Sequence, residues 1–170
     1  GTTTVAAGVL TLESNAALGS SSGGTTVVGG AGLELVGGIT IADDLTIAGS
    51  GLSEGGALRS VSGDNTITGK ITLSDDARLI SAAGRLTLDP SSGEAIYGVN
   101  RSLAIGGAGA VIVNDPVAIG SGTLTKVGAG TLTLAGQNTY TGGTTVDGGT
   151  IKLTGNLGGS GRDYAGGISL

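Results

Sequence analysis

Pairs of apolar residues separated by a single residue recur along the whole chain, with glycine and small polar residues between the pairs. Alternate side chains of a β-strand face the same way, so each pair places two apolar groups on one face and the middle residue on the other. Amphipathic-helix spacing does not extend beyond a few residues. The pattern predicts an all-β fold of short strands joined by tight corners. The pairs are Leu10/Leu12, Leu33/Leu35, Ile39/Ile41, Leu45/Ile47, Ile71/Leu73, Leu86/Leu88, Leu103/Ile105, Val111/Val113, Leu132/Leu134 and Ile151/Leu153.

The side chains available for a core are small. The 170 residues include 37 glycines and three tyrosines, but no Phe, Trp or Met. Sandwiches and barrels usually bury large aromatic side chains between their sheets. A solenoid needs only a thin aliphatic core, because each coil covers the face of its neighbour. We therefore predict a β-solenoid with coils of about 20 residues.

The sequence Thr-x-Thr occurs three times at regular intervals, beginning at Thr123, Thr131 and Thr139. In a solenoid these threonines form the outer row of successive strands, where branched side chains pack well. The middle residues then face inwards; they are Leu124, Leu132 and Tyr140. Glycines supply the corners, and if Gly143 has a positive φ, Gly143→Val should cost about 1 kcal/mol or more.

A longer repeat connects the two ends of the chain. The segment 1–12 (GTTTVAAGVLTL) aligns with the segment 143–153 (GTTVDGGTIKL), so that Val5 falls on Val146. A weaker copy occupies the segment 24–37. The chain starts without an initiator Met or the charged start of a signal peptide. We therefore expect residues 1–170 to form one solenoid segment, internal to a longer repeat protein.

Charge and composition exclude several classes of function. The formal net charge is −5, from 13 acidic and 8 basic residues, and the basic residues are scattered singly from Arg59 to Arg162. This distribution disfavours a nucleic-acid partner. The absence of cysteine removes disulfides and thiolate metal sites, and the absence of histidine removes the commonest general base. The sequence contains no apolar window of about 18 residues, so we predict no membrane insertion by this segment.

Two pairs of adjacent carboxylates, Asp43-Asp44 and Asp75-Asp76, are candidates for an acid/base pair or a calcium site. Adjacent strand residues point to opposite faces, so each pair converges only in a turn. Both pairs lie between two apolar pairs, where a turn is expected. We favour solvated corners, and the sequence leaves calcium binding open.

Other candidate sites have simpler interpretations. Residues 158–166 (GGSGRDYAG) resemble a calcium-binding nonapeptide with Asp163 as the acidic residue, but that site needs tandem copies. The Gly-x-Gly pairs lack the third glycine and the helix of a phosphate-binding loop. Lys70, Lys126 and Lys152 are interpreted as outward charges. We therefore assign no catalytic, cofactor-binding or metal-binding residue, and we predict that the segment is not an enzyme and has no cofactor.

The run LTKVGAGTLTLAGQNTYTGGTTVDGGTIKL, residues 124–153 within the best-matching stretch 122–155, resembles a known repeat. It is similar to the passenger-associated β-strand repeat of autotransporters. The matching positions are Gly128, Gly130, Thr131, Leu132, Leu134, Gly136, Asn138, Tyr140, Gly142, Gly143, Thr144, Val146, Gly149 and Ile151. The resemblance implies a right-handed parallel β-helix within a large secreted or surface-displayed bacterial protein.

The favoured function is a structural or adhesive segment of an extracellular or cell-surface fibre. Uncapped end coils are templates for further strands, so we expect end-to-end association with identical or neighbouring repeats. An adhesin shaft that binds a host, another cell, a matrix or a glycan is the alternative. A polysaccharide-active enzyme is a weaker interpretation because the charged residues do not cluster. Ice binding is also weaker, because the middle of the chain does not repeat Thr-x-Thr on every coil.

Overall fold

The computed structural model describes residues 1–158 and 167–169. The chain winds into a β-solenoid of about seven coils with about 22 residues in each. All strand pairings between the described residues are parallel. The prediction of an all-β solenoid is therefore confirmed.

Each coil passes through three faces, which we name face 1, face 2 and face 3. Face 1 contains β1 (Thr3–Val5), β3 (Thr25–Val27), β6 (Leu45–Gly49), the first part of β9 (Ile71–Ser81), β11 (Ile96–Gly98), β14 (Val117–Ala118), β17 (Gln137–Asn138) and β20 (Asn156–Leu157). Face 2 contains β2 (Val9–Leu12), β4 (Gly32–Val36), β7 (Leu58–Ser62), the second part of β9, β12 (Leu103–Gly107), β15 (Leu124–Val127), β18 (Thr144–Val146) and β21 (Ile168–Ser169). Face 3 contains β5 (Thr40–Ile41), β8 (Asp64–Ile67), β10 (Arg85–Leu88), β13 (Ala110–Val113), β16 (Thr131–Leu134) and β19 (Thr150–Leu153).

Coil length varies along the solenoid. Thr25 pairs with Leu45 in the next coil, and Leu45 pairs in turn with Ile71, so the second of these two coils is the longer. The longer coil carries an outward loop with a short 3-10 turn at Leu52–Glu54. The predicted coil length of about 20 residues therefore matches the shorter coils, and corner loops account for the longer ones.

The apolar pairs form the core, as their spacing predicts. Both members are buried in every pair from Leu33/Leu35 to Leu132/Leu134. At the two ends the cover is incomplete, because Leu10 is half-buried and Leu153 is 44% exposed. Burial of one aliphatic side chain contributes roughly 1.5–3 kcal/mol, so the core gains stability from each coil that stacks on the last.

The three Thr-x-Thr copies lie on successive faces of the same part of the solenoid. The first falls at β15 on face 2, the second at β16 on face 3, and the third directly after β17 on face 1. Their middle residues are all buried, and the flanking threonines are exposed or half-buried. The prediction for Leu124, Leu132 and Tyr140 is therefore confirmed.

The long repeat that relates the two ends of the chain does not coincide with a whole number of coils. Val5 belongs to β1 on face 1, whereas the aligned Val146 belongs to β18 on face 2. The weaker copy occupies the same face as the copy at the start of the chain, since its Val27 belongs to β3, which pairs with β1 on face 1. The same sequence motif therefore builds different faces at the two ends of the chain.

Corner glycines allow successive coils to approach each other closely. A Cβ atom at Gly130 would overlap the carbonyl oxygen of Gly109 in the preceding coil, and one at Gly142 would overlap the carbonyl oxygen of Gly122. Side chains at these two positions would push the coils apart. Glycine is thus required at these corners by space, even where the backbone conformation suits other residues.

Gly143 does not have the conformation on which the expected strain depended. Its φ lies outside the left-handed region, and a Cβ atom there would make an ordinary 3.5 Å contact with the carbonyl oxygen of Gly167. The expectation of strain in Gly143→Val is therefore wrong. In the same motif the left-handed region is occupied by Gly128, with φ 73°, and by Gly149, with φ 69°.

We predict that Gly130→Ala lowers the free energy of unfolding by roughly 1–3 kcal/mol, because the new methyl group overpacks the corner. Gly29→Ala is the matched control, because its Cβ atom meets nothing within 4 Å and its φ is not left-handed. Thermal or urea unfolding measures both variants. Equal stabilities for the two variants would contradict the close approach at Gly130.

Candidate functional sites and surfaces

The Asp43-Asp44 pair occupies the corner before β6, as the sequence predicted, but its carboxylates separate. Asp43 is 3% exposed and accepts a hydrogen bond from Thr25 Oγ1 at 3.3 Å. Asp44 is exposed, and its Oδ1 accepts the backbone N–H of Lys70 in the next coil at 2.8 Å. One carboxylate therefore faces inwards and the other closes a gap between two coils. The expectation of a solvated corner is wrong for Asp43.

The Asp75-Asp76 pair lies within β9, which stays extended through the corner where a turn was expected. Asp75 Oδ1 lies 3.0 Å from Arg101 Nη1, and Asp76 Oδ1 accepts the backbone N–H of Ser102 at 2.8 Å. In the part of the chain that the structure describes, no three His, Cys, Asp or Glu side chains are grouped as metal ligands. Both carboxylates instead connect one coil to the next.

Carboxylate and carboxamide oxygens recur in this role at the corners. Asn15 Oδ1 accepts the N–H of Thr40, and Asn65 Oδ1 accepts that of Ile39. Asn100, with φ 55°, accepts the N–H of Ser121 through its own Oδ1. Backbone donors at a corner fall outside the regular strand ladder, and a buried one without an acceptor would cost about 1–3 kcal/mol. These side chains supply the missing acceptors.

Asn138 of the passenger-type motif uses both its acceptor and its donors to connect coils. It is fully buried; its Oδ1 accepts the N–H of Val117 at 3.0 Å, and its Nδ2 donates to Gly136 O and Asn156 O, both at 3.0 Å. The amide thereby joins three successive strands of face 1. Asparagine fits this position because its side chain carries an acceptor and two donors.

Lys126 points into the core, so the interpretation of this residue as an outward charge is wrong. Its side chain is fully buried, and Nζ donates to the carbonyl oxygens of Val127, Gly128 and Gly148 at 2.8, 2.7 and 3.2 Å. None of the ion pairs among the described residues involves it. Strand alternation carries the signal that was overlooked: Leu124 faces inwards, so the residue two positions later does too.

Burial lowers the pKa of Lys126, because desolvation penalises the charged ammonium. The three carbonyl oxygens match the three N–H groups of an ammonium and partly offset that penalty. The enclosed amine is not accessible to a substrate. We therefore interpret Lys126 as a connection between two coils.

The other two candidate lysines remain on the surface. Lys152 is exposed on β19. Lys70 is half-buried, and its Nζ lies 5.7 Å from the ring centroid of Tyr97, which is 40% exposed on face 1. A cation over an aromatic ring at this distance contributes about 0.5–1 kcal/mol at an exposed site.

An apolar recess of about 310 Å³ opens at the last described coil. Its lining includes Leu134, Tyr140, Val146, Ile151, Leu153 and Leu157. The hydroxyl of Tyr140 is hydrogen-bonded to that of Thr144 at 2.9 Å, beside the recess. The lining residues belong to all three faces, so the recess is continuous with the core of the last described coils.

Two further features complete the description. The calcium-like nonapeptide, with its Asp163, lies almost wholly outside the described residues. Among the described residues, the chain forms no helix with the length and hydropathy of a membrane span.

We predict that Lys126→Met lowers the free energy of unfolding by about 1–3 kcal/mol, because three carbonyl oxygens lose their donor. Lys152→Met is the control, and its change should stay within about 0.5 kcal/mol because the residue is exposed. Denaturant unfolding at neutral pH gives both values. A neutral Lys126→Met variant would contradict the importance of the three hydrogen bonds.

The wild type and Lys126→Met together test the pKa direction. The folded-state pKa of Lys126 is lowered, so the unfolded chain binds more protons as pH approaches the ordinary lysine value of about 10.4. The stability of the wild type relative to Lys126→Met should therefore rise with pH over this interval. A difference that stays constant or shrinks would contradict the assignment.

Comparison with known proteins finds two matches. Residues 124–153 match the family model of the passenger-associated-transport-repeat. The chain is 30% identical over 141 residues to the Adhesin BmaC autotransporter of Brucella suis biovar 1 (strain 1330), an alignment that covers 83% of this chain and 4% of that protein. No solved structure shows significant similarity to the chain. Residues 124–153 are therefore similar to a passenger-associated-transport-repeat, and most of the chain is similar to a small part of an autotransporter adhesin.

Proposed function

We propose that this chain is a shaft segment of a bacterial surface or secreted protein, in which stacked coils provide length and display an adhesive surface. The observation that carries the proposal is the in-register parallel solenoid built around a passenger-type repeat. The role is structural and adhesive, without catalysis. The adhesin name of the relative supports the adhesive part.

The contacts between coils suit a shaft. The strand ladders, the corner side chains and the ion pairs all connect residues of successive coils, for example Arg85 Nη2 to Asp64 Oδ2 at 2.9 Å. Each exposed ion pair contributes at most about 1 kcal/mol. The hydrogen-bonded ladder is the main connection, and it runs along the full length of the described solenoid.

The length of the shaft follows from strand spacing. At about 4.8 Å per coil, the described coils span roughly 35 Å. The chain corresponds to a small part of the length of the relative it matches. A longer protein built in this way would carry a binding region away from the cell surface, and the partner would be a host, another cell, a matrix or a glycan.

Surface display is tested with antibodies raised against this chain and applied to intact cells of the bacterium that produces it. We predict that intact cells are labelled and that brief external protease treatment removes the label. A cytoplasmic protein serves as the control and should be labelled only after permeabilisation. If this chain is labelled only after permeabilisation, like the cytoplasmic control, the proposals of surface display and of secretion onto the surface are both wrong.

We also propose that the open ends of the solenoid accept further coils, from the same protein or from a neighbouring copy. Support comes from the apolar recess at the last described coil and from β19 and β20, which pair on one side only within the described part of the chain. Electron microscopy of the purified chain over a concentration series should show rods that lengthen with concentration. Particles of one coil stack at every concentration would contradict stacking of separate copies.

A further inference from the structure

Face 1 carries an outward surface that is almost free of charge. Its central row stacks in register through six coils and consists of Thr4, Thr26, Thr46, Thr72, Tyr97 and Ala118. A second row, defined by sequence position, lies two residues after each of the first five members and consists of Ala6, Val28, Ala48, Ser74 and Val99. Ala6, Val28 and Val99 directly follow their strands, and the register between the third and fourth coils shifts after Ile47. We call these two rows the neutral stripe.

The neutral stripe contains large apolar side chains that the fold leaves in solvent. Val28 is 43% exposed, Tyr97 is 40% exposed and Val99 is 64% exposed. They make up half of the six exposed large hydrophobic residues in the described part of the chain. Tyr97 and Val99 lie on one coil and Val28 lies three coils away, so large apolar groups remain in solvent at both ends of a hydroxyl-rich surface, and such exposure favours a binding surface.

The charged side chains beside the central row are Asp44 and Lys70. They precede the inward residues Leu45 and Ile71, which pair with each other, so Asp44 and Lys70 occupy the same position on the third and fourth coils. Asp44 uses Oδ1 for the backbone of Lys70, which leaves its second oxygen available. The stripe thus has one negative and one positive group on adjacent coils.

This arrangement is self-complementary. Consider a second copy turned about a two-fold axis that lies in the contact plane, perpendicular to the solenoid axis, between the third and fourth coils. The third coil of one copy then faces the fourth of the other, and the second faces the fifth. Val28 meets Val99 of the second copy, and Asp44 meets Lys70 of the second copy. Each contact occurs twice, as two-fold symmetry requires.

We infer that two copies of this chain pair side by side and antiparallel through the neutral stripe. This inference goes beyond the proposed function and concerns a different surface from the solenoid ends. Two chains of net charge −5 repel each other, but this surface brings no like charges together. The area of the neutral stripe is about 400 Å² on each copy, which is at the small end for a specific interface. We therefore expect a weak dimer with a Kd on the order of 0.1–1 mM.

Sedimentation velocity over a concentration series tests the pairing. The wild-type average mass should rise from monomer towards dimer as concentration passes through this range. Val99→Asp should abolish the rise, because it places a desolvated charge against Val28 of the second copy. Val9→Asp is the matched control, since Val9 is 44% exposed on face 2, and it should dimerise like the wild type. A constant monomer mass, or equal behaviour of the two variants, overturns the inference.

A charge exchange tests the antiparallel orientation. Asp44→Lys alone places two lysines opposite each other, and Lys70→Asp alone places two aspartates opposite each other. Each variant should stay monomeric, whereas an equimolar mixture should form heterodimers because both contacts are again between opposite charges. Thermal unfolding by circular dichroism first confirms that both variants are folded. Failure of the mixture to associate overturns the two-fold arrangement. A wild-type chain that stays monomeric but binds a neutral polysaccharide, and loses that binding in Val99→Asp, overturns the pairing and assigns the stripe to a glycan instead.

Discussion

The structure depends on the close approach of backbones between successive coils. Every strand must satisfy its N–H and C=O groups on the coils above and below, at a spacing of about 4.8 Å that the corners must also keep. Corner positions such as Gly130 and Gly142 therefore lie against carbonyl oxygens of the preceding coil and admit no Cβ atom. This constraint accounts for the glycine content near the repeat motif, and it also explains why acceptor side chains such as Asn65 and Asn138 replace regular ladder bonds at the corners.

The same constraint creates the environment of Lys126. Carbonyl groups turn out of the ladder at the glycine corner, and three of them converge on Nζ. A buried cation is costly without such partners, so its burial in a thin aliphatic core depends on the local corner geometry. The outer surface has more freedom, and the neutral stripe of face 1 shows that side chains which are not needed for stacking form a continuous surface along the solenoid.

Much of the fold could be predicted from the sequence, because strand alternation determines which side chains face inwards. The inward positions of Leu124, Leu132 and Tyr140 follow from it, and so does that of Lys126, although the charge of a lysine favours an outward position. Alternation does not determine which of three faces a strand occupies, so the different phases of Val5 and Val146 were not predictable. Strand alternation also does not determine the backbone conformation of a glycine, so the φ of Gly143, which lies outside the left-handed region, was not predictable. The proposed surface required the register between coils, which no local pattern contains.

Through-hydrogen-bond NMR couplings of the purified chain test the central claim, that successive coils pair in parallel, most directly. The solenoid predicts that the amide of Leu124 is coupled to the carbonyl of Gly143 and that of Leu103 to the carbonyl of Thr123, since these bonds measure 3.0 and 2.9 Å. An antiparallel hairpin between β15 and β16 would instead couple the segment 124–127 to the segment 131–134. Detection of the hairpin couplings, without those between successive coils, would contradict the account.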